Sequence, residues 1–244
     1  MLLNPLRALL QFTTVIPLGD PADFASFARR SWLYPIAGYV TGGFAGICVF
    51  WIGTPLLAAA GAVAALFFIT GAHHLDGLLD FGDGLMVHGD RERRQQALTD
   101  RQIGAGGVAM GGAVTLVSFA AMASAPILWA ALIAAEVAAK FSMAFLTAYG
   151  PPFREGIHSF LHRDARPYFP VLSAVLCIPL LLLPVAPYRL AGAALIMVTV
   201  PACLLFTSRR LFGGVNGDVV GASGEITRAL VLAALVIIPG SAGF

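Results

Sequence analysis

Apolar residues in this chain come in long blocks rather than in short periodic patches. Near-continuous apolar runs recur near 33–52, 56–75, 105–124, 127–148, 168–186, 190–207 and 226–243. Each is close to the ~20 residues that an α-helix needs to cross the hydrocarbon core of a bilayer. The pattern therefore predicts seven spanning helices. Pro126, Pro184, Pro187 and Pro239 fall near the expected ends, where a missing N–H costs least, whereas Pro201 inside the sixth run predicts a kink or a boundary there. The stretch Asn4–Arg30 is apolar but interrupted by Pro5, Pro17, Gly19 and Pro21, so it is expected to lie at the membrane surface or pack under the bundle. With no internal repeat in sight, the fold class that follows is all-α: one polytopic membrane helix bundle over 1–244, with 1–30 as an interfacial segment.

Composition sharpens this picture. Of 244 residues, 58% are hydrophobic and 11% charged, against roughly 25% charged in soluble domains, which excludes a water-soluble globule. Met1–Phe12 carries Arg7 but has neither a distinct apolar core nor a small-residue cleavage site, so no cleaved signal is expected. Cys48, Cys177 and Cys203 sit singly in apolar runs and read as packing or lipid-facing residues. Among the 15 basic residues, Lys140 falls inside a run and Arg189 in an otherwise uncharged turn. The others, Arg228 among them, are assigned to the N-terminal segment and the loops that alternate with those turns. The positive-inside rule then puts the N-terminus and the charged loops in the cytoplasm and the C-terminus outside, which predicts a multi-pass cell-membrane protein. The bilayer is the one partner composition names; nothing points to nucleic acid.

The acidic residues follow the same geography. In His73-His74-Leu75-Asp76-Gly77-Leu78-Leu79-Asp80-Phe81-Gly82-Asp83-Gly84, the aspartates stand at i, i+4 and i+7, at the expected end of the second span. At 100° per residue Asp80 lies about 40° and Asp83 about 20° to either side of Asp76, so all three share a helix face. Three like charges among leucines repel one another and resist desolvation. A divalent cation relieves both problems, and carboxylate oxygens suit Mg²⁺ shared with phosphate. Gly77, Gly82 and Gly84 are expected to leave this face open to a bulky ligand. Asp100, followed by Arg101 and Gly104, opens the third span; Asn216-Gly217-Asp218 and Glu225 open the seventh. Such glycine-rich helix entries expose N–H groups that hold phosphate oxygens, although plain capping by Asp100 and Asp218 is the simpler alternative. Mid-span, Glu136 and Lys140 at i, i+4 are placed to pair, either as a structural ion pair or with Lys140 neutralising a phosphate. The loop 150–168 concentrates Arg154, His158, His162, Arg163 and Arg166, a basic cover for an anion or an ordinary solvated loop. His74, beside the acid stripe, is favoured over His73 as a ligand contact.

These motifs resemble one family, the adenosylcobinamide-GDP ribazoletransferases, also called cobalamin-5′-phosphate synthases. Carrying the resemblance are His74–Gly84, matching a His-Leu-Asp-Gly-Leu-x-Asp-x-x-Asp-Gly run, Asp100 with Ile103-Gly104 and Gly106-Gly107, Gly213–Ala222, and an acid at Glu225. Leu10–Pro17 and Tyr34–Gly38 resemble the family's entry segments. The chain departs from the pattern at Arg101, one residue after the acid rather than two, and at Thr13-Thr14, where a Thr-Arg pair is usual.

The resemblance implies attack by α-ribazole, or its 5′-phosphate, on the cobinamide-linked phosphorus of adenosylcobinamide-GDP, with loss of GMP. It implies Mg²⁺ on Asp76, Asp80 and Asp83, with Asp100 or Asp218 completing the shell. Lys140 or Arg101 would steady the leaving GMP, and His74, Gly104, Asn216, Gly217, Asp218 and Glu225 would contact substrate. Homo-oligomerisation is compatible with it. Two other classes compete. A CDP-alcohol or prenyl diphosphate transferase would also use helical aspartates, but Leu79-Asp80 replaces the expected Ala-Arg and no second Asp-rich motif follows. A cation-coupled transporter would place acids at mid-membrane and show two-fold repeats.

Overall fold

The computed structural model describes residues 3–238; Pro239 and the end of the seventh expected span lie outside the described residues. Twelve α-helices account for most of these residues, and the one β-type pairing among them is an isolated bridge between Pro152 and Val215. Helices α1 (Leu3–Thr13) and α2 (Phe24–Ala28) form the N-terminal segment, which packs under the bundle as expected. Leu9 and Phe27 are fully buried there, and Phe12, Phe24, Phe27 and Phe160 form one aromatic cluster with centroid spacings of 5.1–6.0 Å. Aromatic anchors of this size bury enough apolar area to fix two helices too short to hold themselves.

The bundle comprises α3 (Tyr34–Val49), α4 (Pro55–Thr70), α7 (Ala105–Ser124), α8 (Leu128–Tyr149), α10 (Phe169–Cys177), α11 (Pro187–Leu211) and α12 (Gly217–Ile237). Five segments are long and apolar enough to cross a membrane alone, and seven if two bent pairs each count as one span. The bent pairs are α4 with α5 (His73–Met86) and α9 (Ile157–Asp164) with α10 and its 3-10 continuation, each turned by 95°. We take α4 and α10 as the crossing limbs, so that α5 and α9 turn away from the crossing direction. A short polar helix, α6 (Arg91–Leu98), links α5 to α7. Large apolar side chains cover the outside: Ile47, Trp51, Phe68 and Leu182 are each at least 73% exposed. A water-facing surface does not carry such residues in numbers, and a lipid-facing one does.

At the centre stands α8, buried along nearly its whole length, with α3 and α12 as its main neighbours. On α3, a Cβ at Gly38 would lie 2.6 Å from the Glu136 carbonyl oxygen, and one at Gly42 would lie 2.7 Å from Ile133 Cα. Small residues four apart let two backbones touch, which replaces the hydrophobic drive that lipid does not supply.

Several expected boundaries move. Helix α11, the sixth expected span, runs through Pro201 for 25 residues, with no boundary there. In the fifth span the α-helix ends at Cys177 and tightens into 3-10 geometry over Ile178–Leu182, because Pro179 supplies no N–H. The seventh starts at Gly217 rather than near 226: its glycine-rich entry is helical because Gly221 and Gly224 are buried against α5 and α8. Arg228, assigned above to a loop, is buried about halfway along α12.

Candidate active site

The acid stripe does not continue the second span. Helix α4 stops at Gly71 (φ 61°) followed by Ala72 (φ 56°), and the chain turns before α5 begins. Glycine takes the left-handed conformation freely, whereas Ala72 does so at a cost of roughly 1 kcal/mol that the surrounding packing must overcome. On α5, Asp76, Asp80 and Asp83 share a face as the spacing predicts. The glycines between them act beside that face, as points of close helix contact, while Asp76 stays exposed and Asp80 and Asp83 half-buried. A Cβ at Gly77 would sit 2.8 Å from the Asp218 carbonyl oxygen, and one at Gly82 2.6 Å from Met110 Cβ. Helix α5 is thereby pressed between α12 and α7, and this contact brings Asp218 to the stripe.

The four carboxylates share one electrostatic field. Burial, then the charges of Asp218, Asp76 and Asp83, raises Asp80 from 3.8 to about 7, with Arg154 opposing the rise. Arg154 is on the loop after α8, which the Pro152–Val215 bridge ties to the start of α12, and its charge works against burial at both Asp80 and Asp218. Asp83 has a further role that spacing could not reveal: its oxygens accept from the Gly104 N–H (2.7 Å) and the Gly107 N–H (2.8 Å), capping α7. Asp100 lies on the far side of Asp83, sharing with it, Gly104 and Gly106 an open cavity of about 320 Å³; Arg101 is exposed nearby. Asn216 caps α12 by accepting from the Val219 N–H and donates to Asp218 Oδ2 at 2.6 Å.

Next to the stripe, a cavity of about 400 Å³ opens between α1, α3, α5, α8, α9 and α12. Asp76, Asp218, Gly217, His73 and His74 lie on one side, and Phe12, Tyr34, Met143, Ile157 and Leu161 supply an apolar wall. His74 is buried, and burial together with the positive Lys140 and Arg228 holds it well below the ordinary imidazole value.

Glu225 and Lys140 are elsewhere. Glu225 lies seven residues beyond Asp218, about 10 Å further along α12 at 1.5 Å per residue. It pairs with Arg228, which also binds Glu136 at 3.0 Å; Glu136 in turn lies 3.8 Å from Lys140 and accepts from Thr41 Oγ1 at 2.6 Å. The expected Glu136–Lys140 pair therefore exists, inside a buried four-charge network that neither lines the cavity nor touches the acid stripe. Arg228 was readable as the i+3 partner of Glu225; its burial was not.

Among the described residues, no three His, Cys, Asp or Glu side chains are close enough together to form a ready-made metal site. The donor chemistry nevertheless suits a hard cation: Asp76, Asp80 and Asp218 are carboxylates, and burial, followed by the charges of its neighbours, raises Asp80. Their oxygens fit an ion that takes its remaining ligands from water and a diphosphate.

Comparison with known proteins shows the family. Residues 5–236 match the family model described as cobalamin-5-phosphate synthase. The chain belongs to that family. The adenosylcobinamide-GDP ribazoletransferase of Halorubrum lacusprofundi is 38% identical over 97% of this chain and 98% of its own length. The proteins of the same name from Methanocella arvoryzae (37%; 95% and 94% covered) and Pyrobaculum islandicum (36%; 93% of each) are similar throughout as well. No solved structure matches. The family places the protein among transferases of cobalamin assembly, a membrane enzyme acting on corrinoids.

Proposed function

We propose that the protein joins α-ribazole, or its 5′-phosphate, to adenosylcobinamide-GDP. The acceptor's hydroxyl oxygen attacks the cobinamide-linked phosphorus, the bond from that phosphorus to the bridging oxygen breaks, and GMP departs with the bond electrons. The hydroxyl proton passes to a carboxylate at the cavity rim. The observation that carries this reading is that Asp76 and Asp218 line the edge of a nucleoside-sized cavity, with Asp80 near enough to feel both charges. Phosphoryl transfer asks little of a protein beyond positioning and charge neutralisation, and this site offers both.

In this reading Asp76, Asp80 and Asp218 hold Mg²⁺, which when bound neutralises diphosphate charge and steadies the departing phosphate oxygen. Asp83 keeps the α7 amino end against α5, and Asp100 with Arg101 and Gly104 forms a polar shelf for the rest of the diphosphate. Arg154, whose charge acts on Asp80 and Asp218, is an added cation for GMP, the role first expected of Lys140 or Arg101. Asn216 and Gly217 set Asp218, and His74 packs beside it. The distribution of loop arginines supports a cytoplasmic N-terminus in the cell membrane and a site facing the cytoplasm, where nucleotides are found.

The deciding experiment gives detergent-purified protein adenosylcobinamide-GDP and α-ribazole, with Mg²⁺ or with EDTA. The expected result is GMP together with a joined corrinoid product, in Mg²⁺ only. Folded protein that releases no GMP overturns the reading, and turnover retained by Asp80→Ala removes the metal-holding role of the stripe.

A further inference from the structure

The cavity beside the stripe has an occupant to be assigned, and its size decides between the two substrates. Its volume of about 400 Å³ lies within the roughly 300–1,000 Å³ of pockets that hold small organic ligands. A nucleoside fits such a space; a corrin macrocycle carrying a nucleotide does not. The wall formed by Phe12, Tyr34, Met143, Ile157 and Leu161 suits a flat apolar base, and Asp76 and Asp218 mark the side where phosphorus chemistry would occur.

Two polar atoms on this wall are buried without a partner, Thr147 Oγ1 and His158 Nδ1, and only the second is fixed as a pure acceptor. His158, on α9, lines the cavity and is 3% exposed. Its Nε2 lies 2.8 Å from the Gly150 carbonyl oxygen. A carbonyl only accepts, so Nε2 carries the hydrogen and Nδ1 is left as a bare acceptor. Nδ1 is buried and has no partner. Buried polar atoms are satisfied in the great majority of cases, so a bare acceptor on a cavity wall points to a donor arriving with the ligand. Burial also lowers His158 to about 4, which keeps the ring uncharged at neutral pH. Such a ring aims a hydroxyl well and stores a proton poorly.

We propose that this cavity receives the acceptor nucleoside and that His158 Nδ1 accepts a hydrogen bond from its attacking hydroxyl, turning the oxygen towards the phosphorus held at Asp76 and Asp218. The proposal rests on the transferase reading above. His158 contacts substrate as an orienting acceptor, and the proton ends on a rim carboxylate rather than on the imidazole. In a loose phosphoryl transfer, direction of attack matters more than base strength.

Steady-state kinetics of the full-length protein in detergent, with each substrate varied in turn, test the assignment. In His158→Gln the amide nitrogen can still donate to the Gly150 oxygen, but no acceptor stands at the Nδ1 position. The expected result is a fall of about tenfold or more in kcat/KM for α-ribazole, the worth of one well-placed hydrogen bond, with the corrinoid KM changed less than about twofold. His158→Asn, which sets an oxygen near the Nδ1 position, should recover part of the loss. Ile157→Trp narrows the cavity from a residue that is 57% exposed and so tolerates the change; it should raise the α-ribazole KM alone. Equal effects on both substrates, an effect on the corrinoid alone, or unchanged kinetics in both His158→Gln and Ile157→Trp overturn the proposal. If wild-type protein releases no GMP, the transferase reading fails first. The pocket is then judged by equilibrium binding of α-ribazole to wild-type and Ile157→Trp protein: equal affinity, or no binding to either, overturns it.

Discussion

At the scale of single residues, Asp80 carries the heaviest electrostatic conflict on the acid stripe. Its carboxyl is raised from 3.8 to about 7 by burial and by Asp218, Asp76 and Asp83. The folded state therefore holds a proton on Asp80 across a pH range in which the unfolded chain has lost it. Stability of metal-free protein must fall as pH rises from about 4 to 7, and the full penalty is present above 7. We expect Asp80→Asn to melt higher than wild type at pH 8.5 in EDTA, with the difference shrinking at pH 5.5. Mg²⁺ should raise the melting temperature of wild type more at pH 8.5 than at pH 5.5, since protons compete for the same oxygens. Thermal unfolding in detergent at the two pH values checks both statements. The i, i+4, i+7 spacing made the stripe legible because helical periodicity alone puts those three side chains on one face. The capping role of Asp83 was not legible, since its partners, Gly104 and Gly107, are over twenty residues away.

At the scale of elements, close backbone contact decides where helices go. Helix α5 lies between α7 and α12 because glycines permit it, and Asp83 joins it to the α7 amino end. Asp83→Ala removes acceptors from two amides at once and should cost about 1–2 kcal/mol, the upper range for a helix cap. Hydrogen exchange at residues 104–107 should quicken in that variant while exchange in α8 is unchanged. The α3–α8 contact is less forgiving. Gly42→Leu drives a side chain into the Ile133 backbone, so the protein should fail to purify as a monodisperse species, whereas Gly43→Leu, which faces open space, should behave as wild type. Size-exclusion profiles of the two variants make the comparison. Runs of apolar residues announced these helices, but not the 95° turn after Thr70, which depends on two successive left-handed residues, one of them an alanine.

For the molecule as a whole, the buried network of Glu136, Lys140, Glu225 and Arg228 joins α8 to α12, with Thr41 of α3 bound to Glu136. Two acids and two bases balance, so the set survives in an apolar interior where any member alone would not. Arg228→Met strands Glu225, while Glu136 keeps Lys140 and Thr41, and should cost about 3–5 kcal/mol, as removal of one partner from a buried pair does. Adding Glu225→Gln restores the charge balance and should return part of that loss, which chemical unfolding of the single and double variants would measure.

The membrane bundle, the number of its apolar segments, the acid stripe and the family motif were determined by the order of residues alone. Each depends on local periodicity or on block composition, which neighbours in the chain dictate. Tertiary structure alone decided which acids meet. It drew Asp218 to Asp80 through the Gly77 contact and left Glu225, on the same helix, in an ionic core about 10 Å away. It also turned a basic loop into a cavity wall with a bare nitrogen at His158. These pairings join segments as far apart as Gly77 and Asp218, and they are set by which helices can approach closely, a property of packed surfaces that no local pattern encodes.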